Sequence, residues 1–310
     1  LIPGTPSSSS RIAVVIVTRD RPHVIPGCLR SIQRQTPPPD EIVIVAGNER
    51  SCPPSLLTEY SELPIKLIRC PLPNICIARN MGLDATECEV VCFIDDDAIA
   101  HAGWIEAYKE AFRVQPDAVA AGGVVLDGRC SSRTVEFEYG LISPTGRQIE
   151  CRPNRQTNQA KRGYMKSVKG CNFALHTRRL PKGIRFDEFF RFAFDETDLI
   201  LTIQEMGGSI LHTPDAVVDH LHVPGLYRTA QAHDRDWRTE FASHTMFMMK
   251  HTNGFGRILG WGVVLARLGK HAARLIAAAA AGTTDQRRAL DGILDACSGI
   301  RLAVMSRDNG

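Results

Sequence analysis

The chain has 310 residues, 44% of them hydrophobic and 23% charged, which suits one large domain with an appendage, or two of ordinary size, and excludes a low-complexity chain. Its 37 Lys and Arg against 34 Asp and Glu leave a formal charge of +3, so the global field makes no case for nucleic-acid binding. Ten cysteines without a CxxC pair point to buried thiols in a reducing cytosol rather than to a disulfide framework or a zinc site.

In chain order, residues 1–10 (LIPGTPSSSS) read as a disordered tail without a signal peptide. The apolar runs at 12–17 and 42–45 are short, β-branched and bounded by turn residues, the pattern of strands buried on both faces of a parallel sheet. Between them, Val24, Cys28, Leu29 and Ile32 fall at helical spacing before a proline run, completing a βαβ unit. The alternation continues through IKLIRC, NICIARNMGLDAT, EVVCFI, GWIEAYKEAFRVQ and AVAAGGVVL, read as strand, helix, strand, helix, strand. This is an α/β pattern: an open, mostly parallel sheet flanked by helices, with ligands bound beyond the carboxyl ends of the strands.

From about 127 to 169 the alternation lapses, and seven Lys and Arg stand against Glu150 within 147–169. That stretch is either a solvated loop or a flap closing over an anionic ligand. Order returns with SVKGCNFALH as a strand, FDETDLILTIQEMGG as a helix ended by glycine, and SILHT and AVVDHLH as strands. Beyond residue 225 only helices are expected, and no acid occurs between 241 and 284. Arg267, Lys270, His271 and Arg274 share one helical face, interrupting any spanning segment. Residues 256–281 either lie on an anionic membrane or pack on the catalytic domain with the basic stripe in water.

The triplet Asp95, Asp96, Asp97 ends an apolar strand, where clustered carboxylates resist desolvation unless a cation or hydrogen-bond donors compensate. A simpler reading has Asp95 cap the next helix while the other two face water. In order, VTRDRP, NICIARNMG, FIDDDA, KGCNFAL, FDETDL and DHLH resemble the motifs of glycosyltransferase family 2, over roughly residues 11–225.

The resemblance implies a GT-A catalytic domain at 11–225; the change to helices without strands leaves 226–310 as a C-terminal helical extension, facing acceptor or membrane. The resemblance also implies an inverting transferase moving a sugar from a nucleotide-diphosphate donor to an acceptor nucleophile; the thiols and the basic helical tail give the expectation of a cytoplasmic protein, or one peripheral at the inner face of the membrane. Charge building on the leaving phosphates calls for a divalent cation, Mn2+ or Mg2+. By resemblance Asp97 is its principal ligand, with His220 completing the site and His222 a weaker candidate; Asp95 touches ribose or a metal-bound water. Asp96, at a variable position of the motif, is grouped with the donor-binding residues. Glu196 takes the catalytic-base position, and Asp195 stays open because the usual order of the acidic pair is reversed here.

Thr18, Arg19 and Arg79 match donor contacts, as do Gly170 and Asn172. At the second strand Ala46 and Gly47 stand where the family carries a base-reading Asp, leaving Asn48 to offer an amide and the donor base open. The acceptor is open too, with lipid-linked or anionic molecules compatible with the basic stretches. Two other readings compete: a nucleotidyltransferase, which would carry a Gly-rich loop where VTRDRP stands, and a non-catalytic nucleotide-sugar-binding protein, in which the acids at 195–198 only cap a helix.

Overall fold

The computed structural model describes residues 10–129, 134–151, 165–191, 193–224 and 236–308. The expected tail at 1–9, the basic side chains Arg152, Arg155, Lys161 and Arg162, and the junction at 225–235 lie outside the described residues.

The first half alternates as β1 (Ile12–Thr18), α1 (Ile25–Gln33), β2 (Glu41–Ala46), α2 (Pro54–Glu59), β3 (Ile65–Arg69), α3 (Ile75–Asp84), β4 (Val90–Asp95), β5 (Ala98–Ala100), α4 (Trp104–Val114) and β6 (Ala118–Asp127). Then follow β7 (Val135–Phe137), β8 (Tyr139–Ile142), β9 (Gln148–Cys151), β10 (Met165–Ser167), β11 (Asn172–His176), α5 (Asp195–Glu205) and β12 (Ser209–His220). Three helices close the chain: α6 (Trp237–His251), α7 (Gly254–Ala280) and α8 (Gln286–Asp308).

The main sheet runs β3-β2-β1-β4-β11-β6-β12-β5, with β7 on β6; β8, β9 and β10 form a small sheet of their own. β1 is parallel to β2 and β4, and β6 to β12, while β11 runs antiparallel between β4 and β6. The mainly parallel α/β sheet anticipated from the alternating runs is therefore present. The segments SILHT and AVVDHLH, expected as two strands, form the single strand β12, with an irregularity in register between Thr213 and Val217.

Alternation along β1 divides the core. Ile12, Val14 and Ile16 pack with residues of α1 and α4, whereas Ala13 and Val15 join α3, α5 and α6. Val264 of α7 and Ala303 of α8 belong to the second cluster, so the last three helices share a core with α5. Among the described residues no helix is long and apolar enough to cross a membrane.

The basic face expected on α7 is divided in the folded chain. Arg267 pairs with Glu240, and His271 is buried with its ring 3.9 Å from that of Trp237. Lys270 and Arg274 remain exposed. The inward side of α7 is set by Gly260, Val264 and His271, which takes Arg267 and His271 toward α6.

Candidate active site

The carboxyl ends of β1 and β4 lie side by side, with Val17 paired to Asp95, and this brings Thr18 against the acidic triplet. The Thr18 hydroxyl donates to Asp96 Oδ2 at 2.7 Å, and the Arg21 guanidinium pairs with the other oxygen of Asp96. Arg21 also reaches Asp97 Oδ2 at 3.4 Å and donates to the Val223 carbonyl at 2.8 Å. The end of β12 folds back over the triplet: Leu221 N–H donates to the Asp97 carbonyl and Val223 N–H to Asp97 Oδ2, both at 2.9 Å.

Each carboxylate thus has its own environment. Asp96, expected among the donor contacts, is fully buried between Thr18 and Arg21. Burial raises its carboxyl to about 7 in spite of Arg21 and Thr18. Asp95 is the most exposed of the three and lies 3.3 Å from Arg79. Asp97 is buried with His220 Nε2 3.4 Å away, and ligand atoms of Asp95, Asp97 and His220 all lie within 4.8 Å of one another. Burial works against protonation of His220, but the neighbouring Cys171 sulfur and Asp97 outweigh it and raise its basicity. A second cluster shares His220: Glu136, His220 and His222 have ligand atoms within the same 4.8 Å, with His222 Nε2 2.5 Å from Glu136 Oε2.

Two carboxylate oxygens and one imidazole nitrogen at that spacing suit a hard or borderline divalent cation that keeps positions for further oxygens. The residues present therefore fit Mn2+ or Mg2+.

The first turn of α5 holds Asp195, Glu196 and Asp198, and the residue before it, Phe194, makes no side-chain cap. Asp195 pairs with buried Arg79, and Asp198 is held by Lys250 Nζ at 2.9 Å and His251 Nε2 at 2.8 Å. Neither is spent on capping the helix. Glu196 is half-buried, and burial together with the adjacent Asp195 raises its carboxyl to about 8.

Arg79 connects the two acidic groups. Its guanidinium pairs with Asp195, lies near Asp95, donates to the Gly170 carbonyl at 2.8 Å, and sits over the rings of Phe173, Phe186 and Phe93 at 5.5–6.0 Å. At 3% exposure its guanidinium is taken up by these protein partners, at a position where a contact with the nucleotide was expected. Gly170 leaves room for this junction: a Cβ there would stand 3.1 Å from Arg79 Nη2 and 3.2 Å from Glu196 Oε2.

Three other expectations change. Asn172 is fully buried and its amide is fully engaged within the protein: its Oδ1 accepts from Trp104 Nε1 (2.8 Å) and Tyr108 O–H (2.7 Å), and its Nδ2 donates to the Val124 and Ala216 carbonyls, each at 2.8 Å. The Asn48 carbonyl oxygen accepts from Ser51 N–H and its amide donates to Asp20, so it secures the turn after β2. Arg19 donates to the carbonyls of Cys70, Pro71 and Leu72 and lies over Gly47, where a Cβ would meet its Cζ at 2.7 Å. The small residue at the family's base-reading position makes space for Arg19.

Sequence reading missed Arg21, Lys250 and His251. Arg21 stands within VTRDRP and was the nearest source of the cation that the triplet demanded. No local pattern marks Lys250 and His251, which are 52 and 53 residues from Asp198.

Comparisons with known proteins agree with this geometry. The model of the glycosyl transferase family 2 matches residues 13–178. The glucosyl-dolichyl phosphate glucuronosyltransferase of Haloferax volcanii is 32% identical over 121 residues, 37% of this chain and 38% of that protein. The succinoglycan biosynthesis protein ExoM of Rhizobium meliloti is 26% identical over 227 residues, 71% of this chain and 69% of that protein. The solved structure of the mannosyltransferase PcManGT from Pyrobaculum calidifontis, in complex with GDP-Man and Mn2+, superposes with a TM-score of 0.55 at 16% identity, covering 96% of this chain and 88% of the other. The order of strands, the acidic triplet at their ends and the match over more than half of the chain have one reading: this protein belongs to glycosyl transferase family 2.

Proposed function

We propose that the protein transfers a sugar, with inversion, from a nucleotide-diphosphate donor to an acceptor nucleophile, and that a divalent cation assists. The observation that carries this reading is the convergence of Asp95, Asp97 and His220 on one cleft with a half-buried carboxyl, Glu196, of raised proton affinity. Asp97, His220 and Asp95 would hold Mn2+ or Mg2+, which as a Lewis acid offsets charge on the departing diphosphate. The Mn2+ and GDP-Man of the mannosyltransferase structure support both the ion and the donor class.

Glu196 is the base in this reading and takes the proton of the attacking acceptor, because Asp195 is neutralised by Arg79 and Asp198 by Lys250 and His251. Asp195 is a positioning residue, fixing the first turn of α5 against α3. The catalytic unit spans 11–225, and the helices of 226–310 support α5. The dolichyl phosphate in the name of the Haloferax relative favours a lipid-linked acceptor over a soluble one.

A panel of nucleotide sugars, tested for Mn2+- or Mg2+-dependent thermal stabilisation, reads cation, base and sugar together. Failure of every donor to raise the melting temperature with either ion would overturn the reading. Glu196→Gln separates the alternatives, since a transferase loses turnover while still binding donor, a nucleotidyltransferase releases diphosphate from a nucleoside triphosphate, and a non-catalytic binder turns over nothing.

A further inference from the structure

We infer that α7 is a membrane-docking helix that lies flat on an anionic lipid surface by an apolar stripe, with cations along one flank. The 27 residues of α7 span about 40 Å, and the side turned to solvent is not the polar one. Phe255 is 73% exposed, Ile258 68%, Leu259 45%, Leu265 59% and Ile276 60%. Their spacings of three, four, seven and eleven residues place them on one face, and the positions between them on that face are Gly262, Ala266, Gly269 and Ala273. A flat apolar strip one helix wide and about six turns long is more than scattered surface leucines require.

Charge identifies the occupant. Lys270 and Arg274 are exposed beside the stripe, and α7 contains no Asp or Glu. A second copy seated on the same face would bring these cations toward their equals with no acid on the helix to meet them. An anionic bilayer offers both the apolar phase and the compensating phosphates. Phe255 follows His251 by four residues, and His251 Nε2 bonds Asp198, two residues after Glu196. The N-terminal end of the stripe therefore begins four residues along the chain from the His251–Asp198 ion pair on the first turn of α5.

Vesicle flotation of the full chain tests the inference without any turnover. The chain is expected to float with vesicles containing phosphatidylglycerol and to remain behind with pure phosphatidylcholine. Ile258→Glu combined with Leu265→Glu abolishes flotation, and Lys270→Ala with Arg274→Ala weakens it about 30-fold at low salt, as two surface charges predict. Both variants keep the parent's circular dichroism and melting temperature, because every replaced side chain is exposed. No flotation of the parent, equal flotation with neutral and anionic vesicles, or a solution dimer that Ile258→Glu with Leu265→Glu dissolves would each overturn it. Stabilisation by nucleotide sugars, measured on the same samples without vesicles, reports the transferase reading separately.

Discussion

Asn172 was expected to touch the donor, and the fold uses it otherwise, so Asn172→Leu is a direct measure of that reassignment. Leucine keeps the branching and the number of heavy atoms while removing four hydrogen bonds, to Trp104 Nε1, Tyr108 O–H and the carbonyls of Val124 and Ala216. At about 1 kcal/mol net per bond the loss is about 4 kcal/mol, a large part of the roughly 5–15 kcal/mol by which folded domains are stable. Three of the four bonds are buried and Asn172 has no exposed surface, which argues against rescue by solvent. Urea unfolding followed by circular dichroism gives the change in stability, and donor titration at a temperature where the variant is still folded gives the affinity. The expected result is a much lower unfolding midpoint with donor affinity retained. A variant within about 1 kcal/mol of the parent that no longer binds donor would refute the scaffold assignment.

The remaining predictions concern the cleft. With Glu196 raised from 4.5 to about 8, the base form grows as pH rises, so kcat/KM should fall tenfold per unit below that value and level off above it; an acid limb near 4.5 would refute the base assignment. The corresponding stability runs the opposite way: the folded chain holds an extra proton between those two values, so this group's contribution is full below 4.5 and is lost as pH rises through 8. Asp97→Ala and His220→Ala should each abolish Mn2+-dependent thermal stabilisation, whereas Asp96→Ala lowers the melting temperature and keeps the metal response; equal loss of metal response in all three would mean the triplet works in another register. Gly170→Ala crowds Arg79 and Glu196 at 3.1 and 3.2 Å and should lower kcat with donor affinity unchanged, as steady-state kinetics will show. Lys250→Ala leaves Asp198 with His251 alone and should cut kcat by roughly tenfold or more through displacement of the α5 turn, without raising the donor KM.

Local pattern was enough for much of this molecule. The β-branched runs at 12–17 and 42–45, the helical spacing from Val24 to Ile32 and the acids at strand ends carry their meaning within about ten residues, because burial on two faces of a sheet demands unbroken apolar strands. The need for positive charge beside Asp95, Asp96 and Asp97 was likewise legible from electrostatics alone. Which group answers it was not. Arg21 reaches Asp96 across 75 positions and Arg79 reaches Asp195 across 116, and such pairs exist only once the strands are ordered. The same holds for Asn172, whose amide reads equally as a ligand contact or a core bond until Trp104 and Tyr108 are seen against it. On α7 local spacing alone gives an amphipathic helix without acids. Only tertiary packing decided its rotation, because burying Val264 and His271 against the neighbouring helices turned Phe255, Ile258 and Leu265 outward.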